Sequence, residues 1–288
     1  MAKPRVGWIG TGVIGGSCAR RLLEAQYPLV VTTRTRAKAE RLVDSGAIWA
    51  PTAAEVAAQS DVVFSCVGYP RDVRDVFFGE QGILSEWSKT SASSDRVFVD
   101  MSTSSPELAI EIADAASNAG FDALDAPVSG GDADVVRRIT PVLLCLGTNI
   151  RHAGAPGAGQ RTKLANQILI AGAMVGVCES LLYAYKAGLD LENVLASVST
   201  GAAGSWSLSN YGPRILTNDF NPGFYVEHFV KDMGLALEDA QKLNLSLPGL
   251  ALVRELYVAL MAQGGARKGV QALIQALARI SNVDAFHD

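Results

Sequence analysis

Short apolar runs recur through the first half of the chain, each followed by a stretch of helical spacing. Residues 6–9, 29–33, 62–67, 97–100 and 121–126 are apolar and brief, the pattern of strands covered on both faces. Between them, 13–25 and 37–45 read as helices, and Gly46 stops the second. Thr52 and Glu55 have the spacing of a capping box at the start of a short helix. Pro106 and Glu107 open another, where proline is pre-organised and an acid suits the helix dipole. Strands alternating with helices predict parallel pairing through right-handed crossovers. The second half differs. Residues 164–187 form a long apolar run rich in Ala and Gly, ended by Gly188, and predict a long buried helix. Residues 190–198, 229–243 and 250–263 follow with helical spacing and no strand between them. Segment 140–146 fits either the end of a helix or a strand. The pattern predicts an α/β fold: a doubly wound parallel sheet over 1–160, joined by the long helix to an all-helical domain over 161–288.

Composition narrows the function. With 49% hydrophobic and 19% charged residues the chain has the apolar mass to fold. Its 25 Lys+Arg against 29 Asp+Glu, net −4 and unclustered, exclude nonspecific nucleic-acid binding. The longest apolar candidate, 168–178, stops at Glu179, and the N-terminus carries no leader pattern, so no membrane association is expected. Cys18, Cys66, Cys145 and Cys178 are scattered without a CxxC, and there are three histidines, so no metal site is expected. The thiols read as core residues of a reducing, cytoplasmic compartment. The helical half is too small and apolar to stand alone, which predicts a homodimer or higher homo-oligomer.

The first strand runs into Gly10-Thr11-Gly12-Val13-Ile14-Gly15, a G-x-G-x-x-G that opens a helix. In that context Gly10 permits a tight turn, Gly12 admits a pyrophosphate, and Gly15 lets helix and strand pack, which makes the sheet Rossmann-type. The second strand ends at Thr33-Arg34-Thr35, with Arg36 and Lys38 beyond and no carboxylate before Glu40. A guanidinium and hydroxyls suit a 2′-phosphate, so NADP(H) is expected rather than NAD(H).

Three later motifs join this turn: Asp125-Ala126-Pro127-Val128-Ser129-Gly130-Gly131, the segment from Gly157-Ala158-Gly159 through Lys163 to Asn166-Gln167, and Lys231-Asp232. Together they resemble the β-hydroxyacid dehydrogenase family over nearly the whole chain. That family includes 3-hydroxyisobutyrate dehydrogenase and the tartronate, glyoxylate and succinic semialdehyde reductases. The resemblance implies that Lys163 is the catalytic acid/base. Ser129, Gly130, Gly131, Asn166 and Gln167 would then hold a small carboxylate substrate, and Phe224 would wall the pocket. Val67, Gly68 and Thr103 would touch the nicotinamide side, and Lys231, supported by Asp232, would reach the cofactor. Imine reductases share the architecture but usually lack the lysine.

The chemistry is coherent on its own terms. Reducing a carbonyl needs hydride at carbon and a proton at oxygen, and an ammonium can both polarise the carbonyl and deliver the proton. For the reverse reaction Lys163 must be neutral, so a lowered pKa is expected, helped by a place at the start of the long helix. Asn166 and Gln167, at i+3 and i+4, fall on the same helix face. One departure bears on activity. After Gly131 the family pattern continues through a further strand, whereas here the chain goes straight to Asp132-Ala133-Asp134. About fifteen to twenty residues are missing, more than routine loop trimming removes. Such a gap would cost the sheet a strand and leave an edge for a partner subunit to cover. It also sets a second reading beside the enzyme: a non-catalytic NADP-binding structural module.

Overall fold

Residues 3–89, 95–127 and 133–286 are described by a computed structural model. The chain divides into two compact units, Met1–Lys163 and Leu164–Asp288.

The first unit alternates strand and helix. In order it contains β1 (Val6–Ile9), α1 (Val13–Glu24), β2 (Leu29–Thr32), α2 (Glu40–Asp44), β3 (Ile48–Trp49), α3 (Ala53–Ala58), β4 (Val62–Ser65), α4 (Pro70–Phe78) and α5 (Ile83–Trp87). Then come β5 (Val97–Asp100), α6 (Pro106–Ala119), β6 (Asp122–Asp125), α7 (Ala133–Leu146) and the start of α8 (Ala158–Lys186). The named strands form one parallel sheet in the order β3-β2-β1-β4-β5-β6. The order reverses beside β1, and at such a switch point a crevice opens at the carboxyl ends of the strands. Register decides what lines that edge. Ile9 pairs with Thr32 and Ser65, Ser65 with Asp100, and Asp100 with Asp125, so the four polar residues finish in one row.

Strand side chains alternate between two cores, as period-two geometry requires. Trp8, Val31, Phe64, Val99 and Leu124 enter one with Leu22 of α1 and Val142 of α7. Ile9, Val30, Val63 and Phe98 enter the other with Phe77, Ile83, Trp87 and Ile112. The Trp8 and Phe64 rings stack at 5.3 Å. The Thr52 hydroxyl accepts the Glu55 N–H at 3.1 Å, while the Glu55 carboxylate takes the Thr52 hydroxyl instead of its backbone N–H, so half of the capping box forms.

Of the two readings open for segment 140–146, the helix holds: it forms the end of α7 and supplies no strand, although Pro141 interrupts the hydrogen bonding of that helix. β3, α4 and α5 were not legible as elements, because two to nine residues give little periodicity. The long helix starts more than a turn before the apolar run, so Lys163 stands in its second turn and not at its start. The N-terminal dipole acts mainly over the first turn and weakens at that distance.

The second unit is helical, with the rest of α8, then α9 (Leu191–Ser199), α10 (Trp206–Leu216), α11 (Val226–Lys242), α12 (Pro248–Ala262) and α13 (Leu273–Ile280). Its core joins Met174, Cys178 and Leu181 of α8 to Phe229 and Met233 of α11, Tyr257 of α12 and Ile274 of α13. α8 is long and apolar enough by length and composition to cross a membrane, with an 18-residue window of mean hydropathy 1.7, while its Met174, Cys178 and Leu181 lie in the core of this unit. α10 escaped the sequence reading because Gly212 and Pro213 break its pattern. A Cβ on Gly212 would lie 2.7 Å from Leu195 Cδ2, so the glycine lets α10 pack on α9.

Candidate functional site

The glycine turn shows three different reasons for its glycines. Gly10 has φ +96°, and a Cβ there would stand 2.3 Å from the Cys66 carbonyl oxygen. A Cβ on Gly15 would meet the Gly10 carbonyl oxygen at 2.1 Å, so helix and turn pack only without one. That same oxygen accepts the Trp8 indole N–H at 3.0 Å. Gly12 is different: a Cβ there meets nothing within 4 Å, so no protein neighbour calls for glycine. Beside it the Thr11 hydroxyl is buried without a hydrogen-bond partner. Val13 and Ile14 begin α1 largely exposed. Open space over Gly12, an orphaned hydroxyl and the free N–H groups of a helix start fit the pyrophosphate of a dinucleotide.

At the end of β2, Thr33 is half-buried, and Arg34, Thr35 and Lys38 are exposed. The Arg34 guanidinium reaches Asp72 of α4 at 3.4 Å. The other Asp72 carboxylate oxygen is buried without a partner. The sequence reading missed Asp72; an acid in the first turn of α4 is visible, but its meeting with Arg34 across 38 residues is not. Arg36 instead lies over the Trp49 ring, 5.6 Å from its centre.

The polar row at the carboxyl edge is tied together by buried hydrogen bonds. Asp100 accepts the Ser65 hydroxyl at 2.6 Å and the Ser102 N–H at 3.0 Å. The Ser102 hydroxyl in turn accepts the Val67 N–H at 2.9 Å, which fixes the loop carrying Val67 and Gly68. Burial raises the Asp100 carboxyl to about 6, against these hydrogen bonds and with help from the Asp125 charge. Asp125 holds the start of α8. Its carboxylate accepts the Gly157 N–H at 3.0 Å and the Gln160 N–H at 2.8 Å, doing from another strand what a helix cap does locally. Burial raises its pKa too, opposed by those N–H groups. This explains the Gly157-Ala158-Gly159 spacing. Gly157 has φ +85°, and a Cβ on Gly159 would stand 2.2 Å from the Asp125 carbonyl oxygen.

Gln160 is fully buried. Its amide donates to the Ser102 carbonyl at 2.9 Å and accepts the Ser104 N–H at 2.8 Å, on either side of half-buried Thr103. Lys163, half-buried, lies one turn further along α8. Sequence reasoning quoted Asp125 and Gln160 only as parts of motifs; their partners lie too far away in sequence to be read.

In the second unit, Asn166 is exposed and donates to the Gln167 amide oxygen at 3.0 Å. Gln167 is buried and donates to Asp232 at 2.7 Å. The ammonium of Lys231 stands 3.0 Å from the other Asp232 oxygen. Phe224 packs at the edge of the helical core, edge-on to Phe229 at 5.9 Å between ring centres. Ser129, Gly130 and Gly131 lie outside the described residues.

A switch-point glycine turn on a parallel sheet, followed by an all-helical unit, defines a nicotinamide-dependent dehydrogenase architecture. Two family profiles match: the NAD-binding domain of 6-phosphogluconate dehydrogenase over residues 5–152, and the NAD-binding profile of NADP-dependent 3-hydroxyisobutyrate dehydrogenase over residues 157–277. A probable 3-hydroxyisobutyrate dehydrogenase-like 1, mitochondrial, of Arabidopsis thaliana is 48% identical over 298 residues, covering 98% of this chain and 87% of its own. The 2-hydroxy-3-oxopropionate reductase of Escherichia coli is 37% identical, covering 96% and 98%. The crystal structure of a 3-hydroxyisobutyrate dehydrogenase from Salmonella typhimurium superposes with a TM-score of 0.81 at 27% identity, covering 94% of this chain and 99% of that one. The chain belongs to the β-hydroxyacid dehydrogenase family and is an NAD(P)-dependent oxidoreductase of that class. The non-catalytic reading is not favoured by relatives named as dehydrogenases and reductases. The Arabidopsis alignment spans 298 positions against 288 residues here, so that relative carries residues this chain lacks.

Proposed function

We propose that this chain reduces a small semialdehyde or 2-oxo acid, or oxidises the matching hydroxy acid, with NADP(H) and with Lys163 as acid/base. The observation that carries the reading is the tie between the sheet and the turn of α8 that precedes Lys163. The first turn of α8 is bound to the carboxyl ends of β5 and β6, at the edge where the glycine turn also lies, and Lys163 is in the next turn.

The residues divide the work. The turn from Gly10 to Gly15 would hold the pyrophosphate, and Thr33, Arg34, Thr35 and Lys38 the 2′-phosphate. Val67, Gly68 and Thr103 would border the nicotinamide, with Lys231 as a further contact. When bound, the cofactor supplies or accepts hydride. Ser129, Gly130, Gly131, Asn166 and Gln167 would orient the substrate carboxylate, and Phe224 would exclude water. Lys163 as ammonium polarises the carbonyl and gives up its proton in reduction; as amine it takes the hydroxyl proton in oxidation. The first unit is then the cofactor domain, and the second serves substrate binding and homodimerisation. Four free thiols accord with a cytoplasmic location.

The test is NADPH-dependent reduction of a panel of small semialdehydes by the wild type and by Lys163→Ala. Loss of general acid catalysis should lower kcat by about 10²–10⁴-fold, with NADPH binding retained. Unchanged turnover in Lys163→Ala would remove the lysine from the mechanism.

A further inference from the structure

We infer that Gln160 is a positioning residue that sets where Lys163 stands, acting through the first turn of α8. This rests on the reading of Lys163 as acid/base and adds the device that orients it. Gln160 is buried completely, and three of its polar groups are committed: the side-chain N–H to the Ser102 carbonyl, the side-chain oxygen to the Ser104 N–H, and the backbone N–H to Asp125. A carboxylate cap such as Asp125 fixes where a helix begins, but both of its bonds run to one side chain and leave rotation about the helix axis less constrained. The Gln160 side chain adds two bonds to a different strand end, on either side of Thr103, and so fixes that rotation. Residues three apart share a helix face, so any rotation admitted at Gln160 is carried to Lys163.

The experiment uses the full chain with Gln160→Leu and Gln160→Glu. Leucine fills similar volume but removes both side-chain bonds. A protonated glutamic acid can repeat both, donating O–H to Ser102 and accepting from Ser104; its carboxylate can only accept. The titratable neighbours of Gln160 are Asp125 of β6, which accepts its backbone N–H, Asp100 of β5, which accepts the N–H of the same Ser102 whose carbonyl Gln160 bonds, and Arg161 and Lys163 beside it along α8. Burial and the two acids favour the protonated form.

Four quantities are read: kcat, KM, the NADPH dissociation constant, and the titration of the Lys163 amine by NMR of ¹³C-labelled lysine, assigned with Lys163→Arg. Gln160→Leu should lower kcat about tenfold or more, as misplaced catalytic groups do, and move the Lys163 titration while NADPH affinity stays near wild type. Gln160→Glu should approach wild-type kcat at low pH and lose it as the new carboxyl ionises, a limb the wild type lacks. If leucine fails to fold, the glutamate limb still decides. An unmoved Lys163 titration in Gln160→Leu, whatever happens to turnover, overturns the positioning role, as does a Gln160→Glu profile parallel to wild type. If the titration moves but Lys163→Ala retains turnover, the positioning stands and the acid/base reading fails.

Discussion

The Asp125 carboxylate accepts the Gln160 backbone N–H at 2.8 Å across 35 residues, and so joins strand β6 to the first turn of α8. One acid from the sheet thereby starts a 29-residue helix. Asp125→Ala leaves the Gly157 and Gln160 N–H groups buried without that acceptor, and should cost about 1–3 kcal/mol of stability. Asp125→Asn keeps one acceptor oxygen and should cost less. Urea unfolding of the three proteins measures this; an alanine variant as stable as wild type would contradict the capping role.

Two glycines of the same motif should separate fold from ligand: a Cβ on Gly15 would meet protein, and one on Gly12 would not. Gly15→Ala forces a Cβ against the Gly10 carbonyl and should destabilise by about 2 kcal/mol or more, as overpacking does. Gly12→Ala should leave stability within about 0.5 kcal/mol, as uncrowded surface sites do, yet weaken NADPH binding. Thermal melts with cofactor titrations test the pair, and an unaltered NADPH affinity in Gly12→Ala would argue against the pyrophosphate lying there.

Arg34 is exposed and held only loosely beside Asp72. Arg34→Ala should weaken NADPH by about 10–100-fold, the worth of a charged hydrogen-bonded pair, and change NADH little. Fluorescence titration with both cofactors checks this. Equal losses for the two would mean that Arg34 does not read the 2′-phosphate.

Asp100 should leave a signature in stability against pH. Burial raises its folded-state pKa from 3.8 to about 6, so the folded protein holds this proton more tightly than the unfolded chain. The resulting stabilisation is complete below about pH 4 and is lost as pH rises through about 6, a difference of about 3 kcal/mol for this group. Asp100→Asn stays neutral and should flatten that part of the fall. The comparison is urea midpoints of wild type and variant from pH 4 to 7; parallel curves would show that Asp100 does not titrate there.

Local pattern told much of this in advance. Runs such as 62–67 and 97–100 are apolar because both sheet faces are covered, and Pro106 marks a helix start because its ring suits that turn. The motif from Gly10 to Gly15 announced its own turn. The elements that went unread are those whose reason lies elsewhere. α10 packs through Gly212 onto Leu195, and β3 exists because β2 offers it an edge.

The order of residues by itself determined the alternation of strand and helix, the glycine turn, the shift to an all-helical second half and the motif that contains Lys163. Periodicity and turn chemistry are local properties and need no partner to be read. Only the tertiary structure decided that Asp125 and Gly159 begin α8 ahead of its apolar run, that Gln160 bridges Ser102 and Ser104, and that Arg34 meets Asp72. Those contacts join residues tens of positions apart, and sheet register, which brings strand ends into one row, is what makes them neighbours.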